Sequence, residues 1–394
     1  MRIGVDATCW SNRRGYGRFA RALLSAALEL DRANEYLFFL DAPTDEFPIP
    51  ANVEAVRVSA DVPTVRAAAA NGSRSVRDMW AMSRALSSAR CDVFFFPSVY
   101  SYVPLTSGVP QLVTIHDVIP EMFPELVFPS LRSKLFWRAK VTVAVAQARL
   151  VLTVSEYSRQ RLAEVLKIPA ARLRVVNEAS DPAIHKVERP QATPQLEKLG
   201  LIAGARFVTY VGGFSPHKNL PLLLDAFHEL QKRDGLGDVK LVFGGDYESD
   251  VFFSGYRQLA GQVKLLGLEE KVIFTGYLRD ADLLALMNLS QVLLLPSFCE
   301  GFGLPAVEAA ACGTPSIVTS RSPLPELLGE GAIVLEPDDR AGWTDAMAAV
   351  LSEPPRRARM SVAAAAAVQK LSWQNSARQL LAIVDEVHAN AAAA

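Results

Sequence analysis

Two glutamates, Glu300 and Glu308, stand eight residues apart on either side of a glycine-rich turn. The apolar run 292–296 before the turn predicts a buried parallel strand. The run from Leu304 to Ala311 after the turn predicts a helix with Pro305 in its first turn. The sequence therefore predicts a helix N-terminus whose free N–H groups and positive partial charge face an anion such as phosphate.

The two carboxylates indicate what lies beside that anion. Carboxylates repel phosphate, so their natural partners are neutral hydroxyl groups next to it. Phosphate with hydroxyl groups on both sides describes a nucleotide sugar. The alternative interpretation is an ordinary strand, turn and helix of an α/β domain with two solvated glutamates, and the pattern alone does not decide between the two.

The stretch from Ser297 to Glu308 resembles the Glu-x7-Glu signature of glycosyltransferase family 4, whose members are retaining enzymes with the GT-B fold. The resemblance implies that Glu300 contacts hydroxyl groups of the donor sugar and that Glu308 binds the ribose. It also implies that the backbone lies against the sugar and the diphosphate at four positions: Gly301, Phe302, Gly303 and Leu304.

A second glycine turn carries a cation. The predicted strand 207–211 is followed by Gly-Gly-Phe-Ser-Pro-His-Lys-Asn, in which Lys218 can neutralise a leaving diphosphate and Asn219 is predicted to cap the next helix. A solvated lysine is the alternative interpretation of Lys218. The family usually has an arginine five residues before this lysine, where this chain has Gly213, so Lys218 carries more of the charge or another residue replaces the arginine.

The loop after the first strand contains Gly15-Tyr16-Gly17-Arg18. Two glycines at a helix start suit backbone contact with a ligand, although an ordinary turn has the same pattern. The loop lacks the third glycine of the dinucleotide-binding fingerprint. By resemblance, Gly15 and Gly17 face the donor phosphate and the acceptor, which makes Tyr16 and Arg18 candidate acceptor contacts.

The predicted strand 111–117 ends in His116 and Asp117. Polar residues at the carboxyl end of a parallel strand point into the ligand crevice, whereas a single histidine is more often structural. By resemblance, His116 approaches the 6-hydroxyl of the donor sugar, and Asp117 either orients His116 or contacts the acceptor. The resemblance therefore makes Glu300, His116 and Lys218 the candidate catalytic residues.

The length of 394 residues and the alternation of predicted strands and helices indicate an α/β protein with two domains. The resemblance implies a GT-B fold of two Rossmann-like, doubly wound domains facing across a cleft. We predict an acceptor-binding domain over 1–185, a nucleotide-sugar-binding domain over 186–372 and a helix over 373–394 that crosses back to the first domain. By resemblance, the loop near Tyr277 and Leu278 faces the nucleotide base.

The composition of the chain limits the classes of partner that the protein is expected to bind. A net charge of −1 gives no general case for nucleic acid, and no apolar run is long enough to span a membrane. Four cysteines without paired or metal-ligand spacing fit the cytoplasm, and a predicted strand at the very start leaves no room for a signal peptide. The resemblance implies a GDP- or UDP-linked donor and neither a cofactor nor a metal.

The predicted helix 75–89 mixes basic and apolar residues, including Arg77, Trp80 and Arg84. An ordinary amphipathic helix is one interpretation. The other is a surface for an anionic or lipid-linked acceptor, which would place the protein peripherally at the inner face of the membrane.

The resemblance implies a metal-independent, retaining hexosyltransferase. The motifs resemble most those of members that build surface polysaccharide with mannose or rhamnose. By resemblance, mannose or a related hexose would pass from a nucleoside diphosphate to an acceptor hydroxyl in polysaccharide or glycolipid synthesis. Other GT-B enzymes, such as a phosphorylase or an epimerase, and a non-catalytic sugar-nucleotide-binding protein are the alternatives. A dinucleotide oxidoreductase is disfavoured by the absent fingerprint.

Overall fold

The computed structural model describes residues 1–13, 15–64, 75–247 and 254–392. The chain divides into two compact units, which we call unit 1 (Met1–Glu178 with Ser372–Ala394) and unit 2 (Ala179–Leu371). Residues 179–185, which the sequence analysis assigned to the first domain, belong to unit 2.

Unit 1 is built on a seven-stranded parallel sheet with the order β3-β2-β1-β4-β5-β6-β7. Its strands are β1 Arg2–Asp6, β2 Glu35–Leu40, β3 Glu54–Arg57, β4 Val93–Phe96, β5 Gln111–Thr114, β6 Ala148–Thr153 and β7 Leu173–Val175. All four residues of β4 are buried, as expected of a parallel strand that is covered on both faces.

Helices cover both faces of this sheet. They are α1 Gly15–Leu30, α2 Val76–Ser88, α3 Ile119–Met122, α4 Pro124–Val127, α5 Leu131–Gln147 and α6 Glu156–Val165. Ser130 starts α5 with a capping box, in which Ser130 and Ser133 satisfy each other's backbone N–H groups. A core cluster joins α2, α5 and α6 to the sheet and includes Met82, Trp137 and Leu162.

Unit 2 is built on a six-stranded parallel sheet with the order β10-β9-β8-β11-β12-β13. Its strands are β8 Phe207–Val211, β9 Lys240–Gly244, β10 Val272–Phe274, β11 Leu293–Leu295, β12 Ser316–Thr319 and β13 Ala332–Leu335. Its helices are α7 Pro194–Lys198, α8 Leu220–Gln231, α9 Tyr256–Leu265, α10 Asp280–Leu289, α11 Leu304–Ala311, α12 Leu324–Leu328, α13 Arg340–Ser352 and α14 Pro354–Ala367. The last helix of the chain, α15 Trp373–Ala392, packs on α1 in unit 1.

Each sheet contains one point where the strand order reverses. In unit 1 the chain runs from β1 to β2 on one side and from β4 to β5 on the other, so the reversal lies between β1 and β4. In unit 2 it lies between β8 and β11. Loops leave such neighbouring strands in opposite directions and open a crevice at the carboxyl ends of the strands, where α/β proteins bind ligands.

Most predicted strands and helices lie within two or three residues of the observed ones. The strand predicted over 111–117 ends at Thr114, so Ile115, His116 and Asp117 belong to the following loop. Strand β13 and the helices α3, α4, α7, α12, α13 and α14 were not predicted, and α7 lies in a segment that was expected to be a linker. β13 is a short edge strand without fully buried residues, and such a strand has a weak periodic signal.

Candidate active site

The central motif forms the predicted strand, turn and helix. α11 begins directly after Gly303, whose φ of +85° lies in the left-handed region. A Cβ atom at Gly303 would lie 2.6 Å from Leu324 Cδ1, so both the backbone conformation and the packing require glycine. Pro305 occupies the first turn of α11, where its missing N–H removes no helical hydrogen bond. Of the other first-turn N–H groups, that of Ala306 already donates to the carbonyl of Gly303 at 2.9 Å, whereas that of Leu304 can face an anion.

Glu300 is paired within unit 2. Its Oε1 atom accepts a hydrogen bond of 2.5 Å from Ser297 Oγ and lies 2.7 Å from Lys218 Nζ. The side chain of Glu300 is 9% exposed and that of Lys218 is 21% exposed, so water screens this ion pair less than one at the surface. The structure therefore brings together two residues that the sequence placed in separate motifs, at the strand-order reversal between β8 and β11.

Backbone contacts hold these two loops together. The N–H of Phe298 donates to the carbonyl of His217 at 2.9 Å. The predicted cap at Asn219 is wrong, because Asn219 makes no side-chain hydrogen bond to the helix and its φ is +55°. Its amide instead donates to the carbonyls of Pro296 and Pro337, at 3.2 and 2.6 Å. Asn219 thus ties the loop that carries Lys218 to the end of β11.

Gly213 is exposed, and a Cβ atom there would meet nothing within 4 Å, so packing does not explain the absence of an arginine. His217 was not among the predicted site residues, although it stands directly before Lys218 in the sequence. Burial, and secondarily the charge of Lys218, lowers the pKa of His217 to about 3, so its ring is neutral near pH 7. Its Nδ1 atom is buried without a hydrogen-bond partner among the described residues.

Glu308 lies one turn inside α11 and is 1% exposed. Burial, and secondarily the charge of Glu308, raises the pKa of the neighbouring Cys312 thiol to about 12. Phe302 and Gly301 are also buried in the turn, whereas Leu304 is half-buried. A glutamate this deeply buried is not the solvated surface carboxylate of the alternative interpretation.

The two residues proposed for the base differ in their surroundings. Tyr277 is 48% exposed, and its carbonyl accepts a hydrogen bond of 3.2 Å from Gln195 Nε2. Leu278 packs against a hydrophobic cluster of unit 2 that contains Val242 and Leu286. Only Tyr277 presents much side-chain surface to a ligand.

In unit 1, His116 lies directly after β5. Its Nε2 atom is 3.1 Å from the carbonyl oxygen of Pro97, and because a carbonyl only accepts, Nε2 carries the proton. Its Nδ1 atom is 3.5 Å from Glu178 Oε1, and its ring meets the edge of Phe19 at a centroid distance of 4.8 Å. Glu178 is 8% exposed and was not predicted, because it lies 62 positions along the printed chain from His116.

Asp117 stabilises its own turn. Its Oδ1 atom accepts a hydrogen bond of 2.9 Å from the N–H of Ile119. Orienting His116 was one of the two roles predicted for Asp117. The carboxylate of Glu178 contacts the imidazole and can serve that role as well.

The two glycines of the first loop have different surroundings. A Cβ atom at Gly17 would lie 2.1 Å from the carbonyl oxygen of Asn12, so packing requires this glycine. A Cβ atom at Gly15 would meet nothing within 4 Å. Tyr16 between them receives a hydrogen bond of 2.5 Å from Asn12 Nδ2, and Arg18 lies in the first turn of α1.

Comparison with known families matches both halves of the chain. Residues 192–367 match the model described as glycosyl transferases group 1, and residues 15–183 match the model described as glycosyltransferase family 4. The chain is 28% identical to O-antigen chain mannosyltransferase B of Escherichia coli over 273 residues, 68% of each chain. The chain spans about half the length of several other curated relatives that it matches.

Solved structures share the fold. Sucrose-phosphate synthase from Thermosynechococcus elongatus superimposes with a TM-score of 0.77 at 18% identity, covering 99% of this chain and all of that one. Anabaena HepE, solved in complex with UDP and glucose, has a TM-score of 0.70 at 19% identity, covering 98% and 99%. With its two Rossmann-like sheets, its buried Glu300 and Glu308 and both family matches, the chain belongs to the group 1 glycosyltransferases of family 4, which have the GT-B fold.

Proposed function

We propose that this protein is a retaining hexosyltransferase that moves a sugar, mannose or a related hexose, from a nucleoside diphosphate to an acceptor hydroxyl. The observation that carries the proposal is the Lys218–Glu300 pair beside the N-terminus of α11. The pair places a cation and a carboxylate at the strand-order reversal of unit 2. The cation can pair with a diphosphate, and the carboxylate can accept hydrogen bonds from sugar hydroxyls.

The donor would bind unit 2. Glu308 would accept hydrogen bonds from the ribose, the turn 301–304 would lie against the sugar and the diphosphate, and Tyr277 would contact the base. The donor would be linked to GDP or UDP, since one relative is named a mannosyltransferase and one structure of this fold holds UDP and glucose. The acceptor, a glycan or a lipid-linked sugar, would bind unit 1, where Tyr16, Arg18 and Asp117 are the candidate contacts.

Donor binding would rearrange the ion pair. Lys218 would exchange Glu300 for the diphosphate, and Glu300 would exchange Lys218 for the sugar hydroxyls, while Ser297 keeps Glu300 oriented. As the bond between the anomeric carbon and the phosphate oxygen breaks, negative charge grows on the leaving group. A preorganised donor at such a position contributes about 3–4 kcal/mol of barrier reduction. Lys218 and the N–H of Leu304 at the start of α11 would supply such donors.

The anomeric configuration would be retained by transfer on the front face. The acceptor oxygen forms the new bond to the anomeric carbon on the side from which the diphosphate leaves, and its proton passes to a phosphate oxygen. This route needs no metal and no protein nucleophile. His116 remains proposed for the 6-hydroxyl of the donor sugar on the family resemblance alone.

The test is calorimetric titration of the full chain with GDP, UDP, dTDP and ADP in the presence of a chelator. We expect micromolar binding of one nucleotide, about −8 kcal/mol. Transfer assays with sugars linked to that nucleotide follow. If none of the four binds, the donor site assigned to Glu300, Glu308 and Lys218 is wrong.

One observation favours a second candidate, a sugar-nucleotide-binding protein without turnover. The position of the family arginine is the exposed Gly213, so one diphosphate cation is missing there. Nucleotide binding without donor hydrolysis, and without transfer to any of a panel of glycosides, would favour this candidate over the transferase.

Peripheral contact with an anionic membrane is a further part of the proposal. On α5, Leu131, Leu135 and Phe136 are 71%, 55% and 46% exposed, and on α2 Trp80 is 62% exposed. Basic residues lie between them, and the sequence 130–149 contains no acidic residue. Among the described residues, no helix is long and apolar enough to cross a bilayer. An exposed face that is both apolar and basic suits the surface of a membrane.

Sedimentation with vesicles of phosphatidylcholine, with and without phosphatidylglycerol, tests this contact. We expect binding only to the anionic vesicles, and Leu135→Ser with Phe136→Ser should abolish it. Equal binding to both vesicles, or none to either, would contradict a membrane surface of this kind.

A further inference from the structure

A chain of contacts in unit 1 joins three aromatic rings to one carboxyl group. The rings of Tyr16 and Tyr100 stack with centroids 5.5 Å apart. Tyr100 in turn contacts Trp137 at a centroid distance of 4.8 Å. The indole Nε1–H of Trp137 donates to Glu121 Oε1 at 2.6 Å. We call these four residues the aromatic–carboxyl cluster.

The cluster lies where an α/β sheet binds ligands. Tyr16 follows β1, Tyr100 follows β4 and Glu121 follows β5, and these three strands are neighbours in the sheet. The strand order reverses between β1 and β4, so all three residues stand at the carboxyl-end crevice of unit 1. Trp137 reaches the cluster from α5.

Glu121 has one oxygen without a partner. Its Oε1 atom is satisfied by Trp137, but its Oε2 atom is buried and has no hydrogen-bond partner among the described residues. Burial raises the pKa of Glu121 to about 7, the hydrogen bond from Trp137 opposes this shift and the charge of Asp117 adds to it. A buried, unsatisfied oxygen destabilises the folded protein, and a ligand hydroxyl would remove that penalty.

The chemistry of the cluster favours a neutral, hydroxyl-rich ligand. Aromatic faces pack on the C–H surface of a sugar ring, and a carboxylate accepts hydrogen bonds from its hydroxyl groups. A phosphate would meet repulsion from Asp117 and Glu121. The ammonium of Lys140, on the same helix as Trp137, donates to the carbonyl of Tyr100 at 2.9 Å.

We propose that Tyr16, Tyr100, Trp137 and Glu121 form the subsite for the acceptor sugar, with Glu121 Oε2 accepting a hydrogen bond from an acceptor hydroxyl. That the ligand is the acceptor rests on the proposed transferase function. The subsite itself rests on the geometry of unit 1. Glu121 is a positioning residue here, and the transfer step requires no proton from it.

The subsite gives acceptor binding a pH dependence. The titratable and charged groups near Glu121 are Asp117 in the loop before α3, Tyr100 with its neighbour Tyr16, Lys140 on α5 and Arg161 on α6. The guanidinium of Arg161 lies 3.4 Å from Sδ of Met122, the residue after Glu121. The ionised carboxylate is the stronger acceptor of a hydroxyl hydrogen bond. Sugar binding should therefore lower the pKa of Glu121, and affinity should fall as the pH falls through about 7.

The test uses the full chain labelled with ¹⁵N in its indole rings, with the Trp137 signal assigned from Trp137→Phe. Methyl α-mannoside, methyl α-glucoside and methyl α-galactoside are titrated at pH 8 and pH 6. We expect at least one of them to shift the Trp137 signal, with binding close to tenfold weaker at pH 6, the limit for a single group with a pKa of about 7.

Glu121→Gln keeps an oxygen for Trp137 but loses the charge, so it should bind the glycoside about equally at the two pH values and about tenfold more weakly at pH 8. Glu125→Gln, an exposed neighbour, is the matched control and should behave like the parent chain. Tyr16→Leu provides a second variant if Glu121→Gln fails to fold. It should weaken binding and keep the pH dependence.

Nucleotide titration of the same samples separates the two proposals. If a nucleotide binds but no glycoside shifts the Trp137 signal, the acceptor subsite is overturned and the donor site stands. If a glycoside binds the parent chain equally at both pH values, the proposed hydrogen bond from the sugar to Glu121 is contradicted. If glycosides bind and no nucleotide does, the subsite stands and the transferase function fails.

Discussion

At the scale of single residues, the most consequential contact is the one between Lys218 and Glu300. Both groups are charged, both are largely buried, and each is the other's counter-ion at 2.7 Å. Removing either partner leaves a poorly solvated charge, so variants at these positions require measurements of stability beside those of activity.

Glu300→Gln should lower kcat about 100-fold, because a small misplacement of the sugar costs about that factor. Nucleotide affinity should not fall, because Lys218 keeps its charge and no longer has to leave Glu300 to reach the diphosphate. Steady-state kinetics with the donor identified by calorimetry measure both values. Unchanged turnover would show that Glu300 does not position the sugar.

Lys218→Ala should weaken binding of the nucleoside diphosphate by about 10- to 100-fold, the worth of a charge-assisted hydrogen bond. The monophosphate should lose much less. Calorimetry with both nucleotides checks this, and Lys232→Ala, an exposed lysine of the same unit, is the control. Equal losses for the two nucleotides would contradict a contact with the second phosphate.

His217 should make the chain less stable in acid. Its pKa is lowered by burial from 6.5 to about 3, so the unfolded chain binds a proton that the folded chain does not in that range. Stability therefore rises with pH between about 3 and 6.5 on account of this group. Urea unfolding of His217→Gln across this range should show a shallower slope than the parent chain.

The raised pKa of Glu121, caused mainly by burial, acts in the opposite direction. The folded chain binds the extra proton between 4.5 and about 7, so this contribution to stability is lost as the pH rises through that window. A slope for His217→Gln equal to that of the parent would mean that the histidine is not buried as neutral imidazole.

At the level of secondary structure, Gly303 determines where α11 begins. Gly303→Ala should destabilise the protein by more than about 1 kcal/mol, because the residue has a positive φ and its Cβ would meet Leu324. Thermal unfolding measures this change. Gly213→Ala lies in the other turn in open space and should change stability by less than about 0.5 kcal/mol. Similar losses for both variants would contradict the packing described for Gly303.

At the scale of the whole molecule, α15 completes unit 1 although it follows unit 2 in the sequence. The ring of Trp373 contacts that of Phe19 at 6.0 Å, and Ser376 Oγ donates to the carbonyl of Asn177 at 2.5 Å. Arg174 pairs with Glu386 at 2.6 Å. α15 therefore covers the apolar face of α1.

Truncation after Leu371 should expose that face and destabilise unit 1, because each large apolar side chain left uncovered loses about 1.5–3 kcal/mol. Limited proteolysis should then cut within unit 1 far faster than in the parent chain. Truncation after His388 removes the exposed residues Ala389, Asn390 and Ala391 together with those that follow them, and should leave the pattern unchanged. Resistance of the longer truncation to proteolysis would contradict the structural role of α15.

The two units share one architecture and differ in their site chemistry. The reversal in unit 2 presents a lysine, a histidine and a helix N-terminus, together with two buried glutamates. The reversal in unit 1 presents aromatic rings and carboxyl groups. This difference underlies our proposal that unit 2 binds the phosphate-bearing donor and unit 1 the acceptor.

Local sequence patterns predicted most of the strands, the glycine turns and the polar residues that follow them. Glu300, Glu308 and Lys218 could be selected because their motifs are local, and the apolar runs are close to β8 and β11. The helix cap predicted at Asn219 was wrong, because its side-chain amide donates instead to the carbonyls of two residues that are distant in the sequence.

Contacts between residues that are distant in the sequence, and the burial of polar groups, depend on tertiary packing and could not be predicted from local patterns. Lys218 and Glu300 lie far apart in sequence, as do His116 and Glu178, and their contacts arise because non-consecutive strands are neighbours in the sheets. Glu121 looks like an ordinary loop acid in the sequence. It becomes a buried carboxyl group with one free oxygen because α5 packs Trp137 against it, and desolvation depends on packing that no local pattern encodes.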